Sequence, residues 1–223
     1  MDLISGPGKY SGPTRPIDFI RHGSTALNNN GKSGDRVRGW VDIPLDDRGV
    51  KEAEKVGREL ALLKTKPRVL FSSDLQRAQK TAHIISQAAG IPAAPPQHGL
   101  RPWNLGHFQG AESADIAPQM KMFVDNPGQR VPGGESFNEF RTRFFSTMRG
   151  LLAHTHFRMG IISHPRNERL LAATEKAGWD GFDKVEFAKH GSPTGVVITF
   201  EVPYVPSQNV QGRGQLPQRP GRL

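Results

Sequence analysis

The sequence predicts an α/β fold, a sheet covered by helices on its faces, and three observations carry that expectation. Short apolar runs at 17–21, 68–72, 159–163 and 195–202 have the length and composition of buried strands. Segments between them repeat apolar residues at three- and four-residue steps, the period of an amphipathic helix. The stretches before residue 17 and after residue 202 are instead rich in Gly, Pro and polar residues. Those ends are expected to be flexible, which leaves one domain over 17–202 of a chain of 223 residues.

The first helix is expected over 47–64, where Val50, Ala53, Val56, Leu60 and Leu63 make one apolar face and Asp46 is placed to cap the start. The pair Asp46 and Asp47 therefore reads as a helix start rather than as an acid and a base. A second helix over about 75–89 carries Ala78, Ala82, Ile85 and Ala89 on one stripe. Ser136 and Glu139 have the spacing of a capping box ahead of a third, whose buried side is Phe137, Phe140, Phe144, Met148 and Leu151. A fourth, about 166–177, ends at Gly178.

Composition narrows the classes of function. Thirty Lys and Arg against 21 Asp and Glu give a net charge of +9, and Arg213, Arg219 and Arg222 sit in an end segment without acids. The modestly basic remainder suits a small anionic substrate, and it lacks the clustered basic and aromatic residues of a nucleic-acid surface. No apolar run approaches the roughly 20 residues that span a bilayer, and the first residues lack the basic and apolar regions of an export signal. The expectation is a cytoplasmic protein. Zero cysteines exclude disulfides and thiolate metal sites. His154 and His156 would point to different faces of a helix, and His83, His98, His107 and His190 stand singly, so no metal is expected. His190, just ahead of the last strand, is placed to approach a pocket.

Chemistry is signalled by Arg21-His22-Gly23 after the run Ile17–Ile20, because it puts an imidazole and a guanidinium at the end of a strand. A neutral ring nitrogen attacks phosphorus without first losing a proton, and a planar guanidinium holds phosphate oxygens. Residues 26–33 also fit a relaxed nucleotide phosphate loop. Such a loop must run straight into a helix, and residues 34–44 have no helical period.

Four segments together resemble the phosphoglycerate-mutase-like branch of the histidine phosphatase superfamily. Arg21–Asn28 is similar to R-H-G-x-T-x-x-N, Gly39–Leu45 to G-x-x-D-x-P-L with Gly49 following, and Ser72–Ala82 to S-S-x-L-x-R-A-x-x-T-A. Ile161-Ile162-Ser163-His164 ends another strand with a second histidine, and Gly134-Glu135-Ser136 precedes the third helix. The resemblance covers about residues 17–202. It implies a three-layer α/β/α sandwich with a mainly parallel sheet and a site at the carboxyl ends of the strands bearing His22 and His164.

The resemblance implies that His22 is the nucleophile of a phosphohistidine, with Arg21, Arg77 and His164 around the phosphoryl group. Fixed cations there stabilise charge spread over the equatorial oxygens. Asn28 adds a hydrogen bond, and Thr25, Arg38 and Arg101 complete the expected substrate contacts. The implied activity is hydrolysis of a phosphomonoester, phosphoramidate or acyl phosphate without metal or organic cofactor, on a small phosphorylated substrate rather than a nucleic acid or membrane.

One departure stands out. The family's usual L-R-E-x-x-x-G reads Leu100-Arg101-Pro102-Trp103-Asn104-Leu105-Gly106, so proline occupies the place of the acid. His164 is followed by Pro165-Arg166, which excludes the aspartate that the other branch uses. Three readings remain: another carboxylate, Glu135 or Glu112, is the acid; the substrate has a leaving group that needs none; or the protein binds phosphate ligands and turns over weakly. Mutase chemistry is the nearest alternative reaction, and Trp103 belongs either to the core or to the pocket.

Overall fold

The computed structural model describes residues 10–28, 35–189 and 191–204. Four strands, β1 (Thr14–Arg21), β2 (Val69–Ser72), β3 (Met159–Ser163) and β4 (Val197–Pro203), form one sheet in the order β2-β3-β1-β4. β3 lies parallel to both β2 and β1, and only β4 runs antiparallel, against β1. The strand expected at 17–21 begins three residues earlier, at Thr14, because Thr14, Arg15 and Pro16 continue the β4 pairing at the sheet edge.

Period-two alternation divides the sheet between two cores. Ile17, Phe19, Met159 and Ile161 face one side, while Ile20, Leu70 and Ile162 face the other. The second side is covered by α1 (Asp47–Leu62) and α2 (Gln76–Ala89) through Val56, Leu60, Ala78, Ala82, Ile85 and Ala89. The first side is covered by α4 (Phe137–His154) and α5 (Pro165–Lys176), with Phe140, Phe144, Met148, Leu170 and Leu171 in the shared core. This is the expected three-layer arrangement.

Local expectations hold in most respects. Asp46 caps α1 by accepting from the Gly49 amide, at 2.7 Å. Ser136 and Glu139 make the reciprocal capping box of α4. Two positions differ. Leu63 is exposed, since α1 ends at Leu62 and the chain turns away from the sheet, and Leu151 is half-buried while Leu152, four residues after Met148, completes the buried stripe. Trp103 is fully buried and lies 5.1 Å from the Phe137 ring and 6.0 Å from the Phe140 ring, so it is core.

Two helices absent from the sequence expectations, α3 (Ala117–Asp125) and α6 (Lys184–Ala188), flank the cavity described below. Among the described residues no helix is long and apolar enough to cross a membrane, and no group of three or more His, Asp or Glu side chains is arranged to hold a metal ion. The chain from Asp35 to Asp46 contains no helix, contrary to what a nucleotide phosphate loop requires. His190, most of the 26–33 segment and the two end segments apart from Tyr10–Pro16, Pro203 and Tyr204 lie outside the described residues.

Candidate active site

A cavity of about 1480 Å³ opens where β1 and β3 end, and Arg21, His22, Arg38, Arg77, His164 and Pro102 are among its walls. Both histidines leave their strands at matching heights: Arg21 pairs with Ser163, and the His22 amide donates to the Ser163 carbonyl at 3.0 Å. The sheet therefore brings residues 142 positions apart to ring centroids 5.0 Å from each other.

The tautomer of His22 follows from its partner. Nδ1 lies 2.7 Å from the Gly23 carbonyl, which only accepts, so Nδ1 carries the hydrogen and Nε2 presents a lone pair. That Nε2 is buried without a hydrogen-bond partner, as are both ring nitrogens of His164. Burial first, then the positive charge of Arg77, holds both imidazoles well below their ordinary pKa. Both rings are neutral at physiological pH.

Arg77 is fixed by backbone alone. Its Nη1 donates to the Val41 carbonyl at 2.7 Å and its Nη2 to the Gly39 carbonyl at 2.9 Å, while Nε is buried and unpartnered. Asp42 in the same segment caps the start of α2 by accepting from the Gln76 amide at 2.8 Å. The Gly39–Leu45 motif thus clamps the arginine of the Ser72–Ala82 motif, a role that the bare sequence does not disclose. Burial and the neighbouring Arg38 push Arg77 down to about 9 and Arg21 down to about 10. Arg21 donates to the Ser192 carbonyl, and its Nε also lacks a partner. Two buried cations, Arg21 and Arg77, without an ion-pair partner among the described residues make a site that an anion stabilises.

The loop after His22 is held by close backbone contact. A side chain at Gly23 would meet the Gly49 carbonyl oxygen at 2.3 Å, and one at Gly49 would meet the Ser24 carbonyl oxygen at 2.1 Å, so neither position admits a Cβ. The buried Gly23 amide donates to Thr81 Oγ1 at 3.1 Å, and Thr81 in turn donates to the Arg77 carbonyl at 2.7 Å. Thr81 is a positioning residue that sequence reasoning missed. Thr81→Val keeps the shape but orphans the amide; urea unfolding is expected to show a loss of about 1–3 kcal/mol. Turnover is expected to fall roughly tenfold as His22 loosens, with Thr81→Ser restoring both.

Several expected site residues lie elsewhere. Glu135 is not on the cavity wall: Arg143 clasps both its oxygens at 2.7 and 2.8 Å, and it also accepts from the Asn104 amide. A carboxylate so engaged is unsuited to deliver a proton at His22. Arg101 is likewise turned away, bound to both oxygens of Asp74 at 2.7 and 2.9 Å and stacked on Trp40. Thr25 and Asn28 are both off the cavity wall: the Thr25 hydroxyl donates to Asn28 Oδ1 at 2.9 Å, and Asn28 Nδ2 is buried without a hydrogen-bond partner. Arg38 does line the cavity, 3.6 Å from Asp35. Glu112 lines it too, in a bridge with Arg36 and in no ion pair among the described residues.

The chain is similar to known proteins in both sequence and fold. The model of the histidine phosphatase superfamily (branch 1) matches residues 17–205. Over 159 residues the chain is 31% identical to phosphoglycerate mutase-like protein 4 of Arabidopsis thaliana, covering 66% of this chain and 65% of that protein. Over 167 residues it is 28% identical to the metal-independent phosphoserine phosphatase of the same plant, covering 70% and 66%. The chain thus spans slightly under two thirds of the length of these curated relatives. Its fold is similar to a crystal structure of phosphoglycerate mutase from Thermus thermophilus, with a TM-score of 0.60 and 27% identity over 83% of this chain and 92% of that one.

Proposed function

The chain belongs to the histidine phosphatase superfamily, branch 1, and from that membership we propose that it hydrolyses a small phosphomonoester through a phosphohistidine on His22. The observation that carries the reading is the unpartnered Nε2 of a neutral, buried His22, facing a second unpartnered imidazole beside Arg21 and Arg77, which make no ion pair among the described residues. Nε2 attacks phosphorus, the N–P bond forms and the ester O–P bond breaks. Arg21, Arg77 and His164, all on the cavity wall, hold the equatorial oxygens. Water then attacks phosphorus, the N–P bond breaks, and His22 returns to its neutral form with release of phosphate.

Glu112 protonates the leaving oxygen and then takes the proton of the attacking water. This assignment is supported by its place on the cavity wall without a cation partner among the described residues and by the engagement of Glu135 with Arg143. Glu112→Gln is expected to lower kcat/KM, which reports the steps up to departure of the leaving group, about 100-fold on an alkyl phosphate and less than threefold on 4-nitrophenyl phosphate, whose leaving group needs no proton. Equal losses of kcat/KM on both substrates would remove Glu112 from protonating the leaving oxygen.

The phosphohistidine is tested by trapping. Incubation with a ³²P-labelled phosphodonor and rapid quenching are expected to give an acid-labile, base-stable adduct that maps to His22. No adduct with aryl, alkyl and acyl phosphates would favour the second reading, a phosphate-ligand-binding protein, which the proline at Pro102 on the cavity wall supports. Release of inorganic phosphate, rather than appearance of a rearranged ester, separates hydrolysis from mutase chemistry.

A further inference from the structure

Arg21 is anchored through a single carbonyl, that of Ser192, and no carboxylate lies within ion-pair distance of it among the described residues. The anchor itself needs holding. Ser192 belongs to the stretch between α6 and β4, and Gly191, Ser192 and Pro193 form part of the cavity wall on which Arg21 also lies. Neither Gly191 nor Ser192 takes part in a backbone–backbone hydrogen bond among the described residues. What fixes the carbonyl that receives Arg21 is therefore a side chain.

That side chain is Glu168, on the first turns of α5, whose Oε1 accepts from the Ser192 amide at 2.6 Å and whose Oε2 accepts from the Ser192 hydroxyl at 2.7 Å. Glu168 is only 6% exposed, and no lysine or arginine lies within ion-pair distance of it among the described residues. The stretch lies directly on the start of the helix, since a side chain at Gly191 would meet Pro165 Cβ at 3.1 Å. A buried carboxylate without a cation and a buried guanidinium without a carboxylate are thus joined through one residue. Burying either charge alone is unfavourable, and Ser192 gives each of them hydrogen bonds in place of water. The charge of Glu168 also opposes the burial and the Arg38 charge that push Arg21 down to about 10.

We propose that Glu168 is a positioning residue, which by holding Ser192 sets the direction in which Arg21 presents its guanidinium to an anion at His22. The proposal rests on the phosphatase reading for the place of Arg21 beside the phosphoryl group. A planar fork binds an anion only when its plane is aimed, so a carbonyl free to drift would cost affinity. Glu168 itself is off the cavity wall and reaches the anion only through Arg21.

Calorimetry with tungstate, a phosphate-shaped dianion that undergoes no turnover, tests this in a double-mutant cycle. Glu168→Leu keeps the bulk and removes both acceptors, and it is expected to weaken tungstate about tenfold, the usual worth of a hydrogen bond to a charged group. In an Arg21→Met background the same substitution is expected to change affinity by less than about twofold, because Glu168 then has nothing to aim. Glu168→Gln retains an acceptor for the amide and a donor for the hydroxyl oxygen, and is expected to bind tungstate within about threefold of wild type. Melting curves check that each variant is folded. Should Glu168→Leu not fold, Ser192→Ala, which removes the hydroxyl arm alone, enters the same cycle with a loss of about threefold expected.

A loss that persists without Arg21, or no loss in its presence, overturns the positioning role even if the protein turns over 4-nitrophenyl phosphate. A Gln variant as weak as the Leu variant, or wild-type protein that does not bind tungstate, overturns it as well. A loss that depends on Arg21, in a protein with no turnover and no His22 adduct, upholds the role of Glu168 and overturns the phosphatase reading.

Discussion

His22→Ala is expected to lower kcat on 4-nitrophenyl phosphate by about 10,000-fold or more and to abolish the acid-labile adduct, because no other group in the site has its geometry. His164 lies opposite but has no partner on either ring nitrogen, so nothing fixes the tautomer that attack requires. Of the two, His22 is the one oriented by a carbonyl, that of Gly23. The substitution removes a neutral ring, so the charge balance of the cavity is unchanged and the fold is expected to persist by circular dichroism. Equal rates in wild type and variant would end the nucleophile assignment.

Arg77→Met carries the second large effect, a fall in kcat/KM of about 1000-fold, from the loss of one charge that is already in place when the transition state forms. Two opposing terms decide its stability. Removing a buried, uncompensated guanidinium relieves several kcal/mol of desolvation, whereas the Gly39 and Val41 carbonyls each lose a charged donor, at about 1.5–3 kcal/mol. These nearly cancel, so thermal unfolding without ligand is expected to shift little while activity collapses. Arg77→Lys keeps the charge but cannot hold two carbonyls and an anion together, and its activity is expected to fall between the two. A large drop in melting temperature matching the loss of activity would mean that Arg77 acts as scaffold.

The parts of the molecule that were legible in the sequence are those set by local pattern. Asp46, Ser136 and Glu139 announce helix starts through spacing alone, and the apolar runs of β1 and β3 place His22 and His164 at strand ends. The missed helices α3 and α6 are nine and five residues long, too short for a periodic signal, and they owe their order to packing of Met120, Phe123 and Phe187 against the core. Side-chain partnerships between distant segments were equally hidden. Glu135 looked available until Arg143, on the α4 surface, closed on it, and Arg101 looked like a substrate contact until Asp74 met it from 27 residues away. The anchoring of Arg77 by carbonyls leaves no trace in residue types at all.

That anchoring makes the protein a reporter of its own ligand. Arg77 makes no ion pair among the described residues, so a molecule that binds the folded protein by neutralising the guanidinium raises the melting point by mass action. At a hundredfold excess over Kd the gain is about 2.7 kcal/mol, which in a chain of this size amounts to roughly 5–11 °C. A melting-temperature survey of anions would therefore rank ligands of this site by affinity without any assay of turnover.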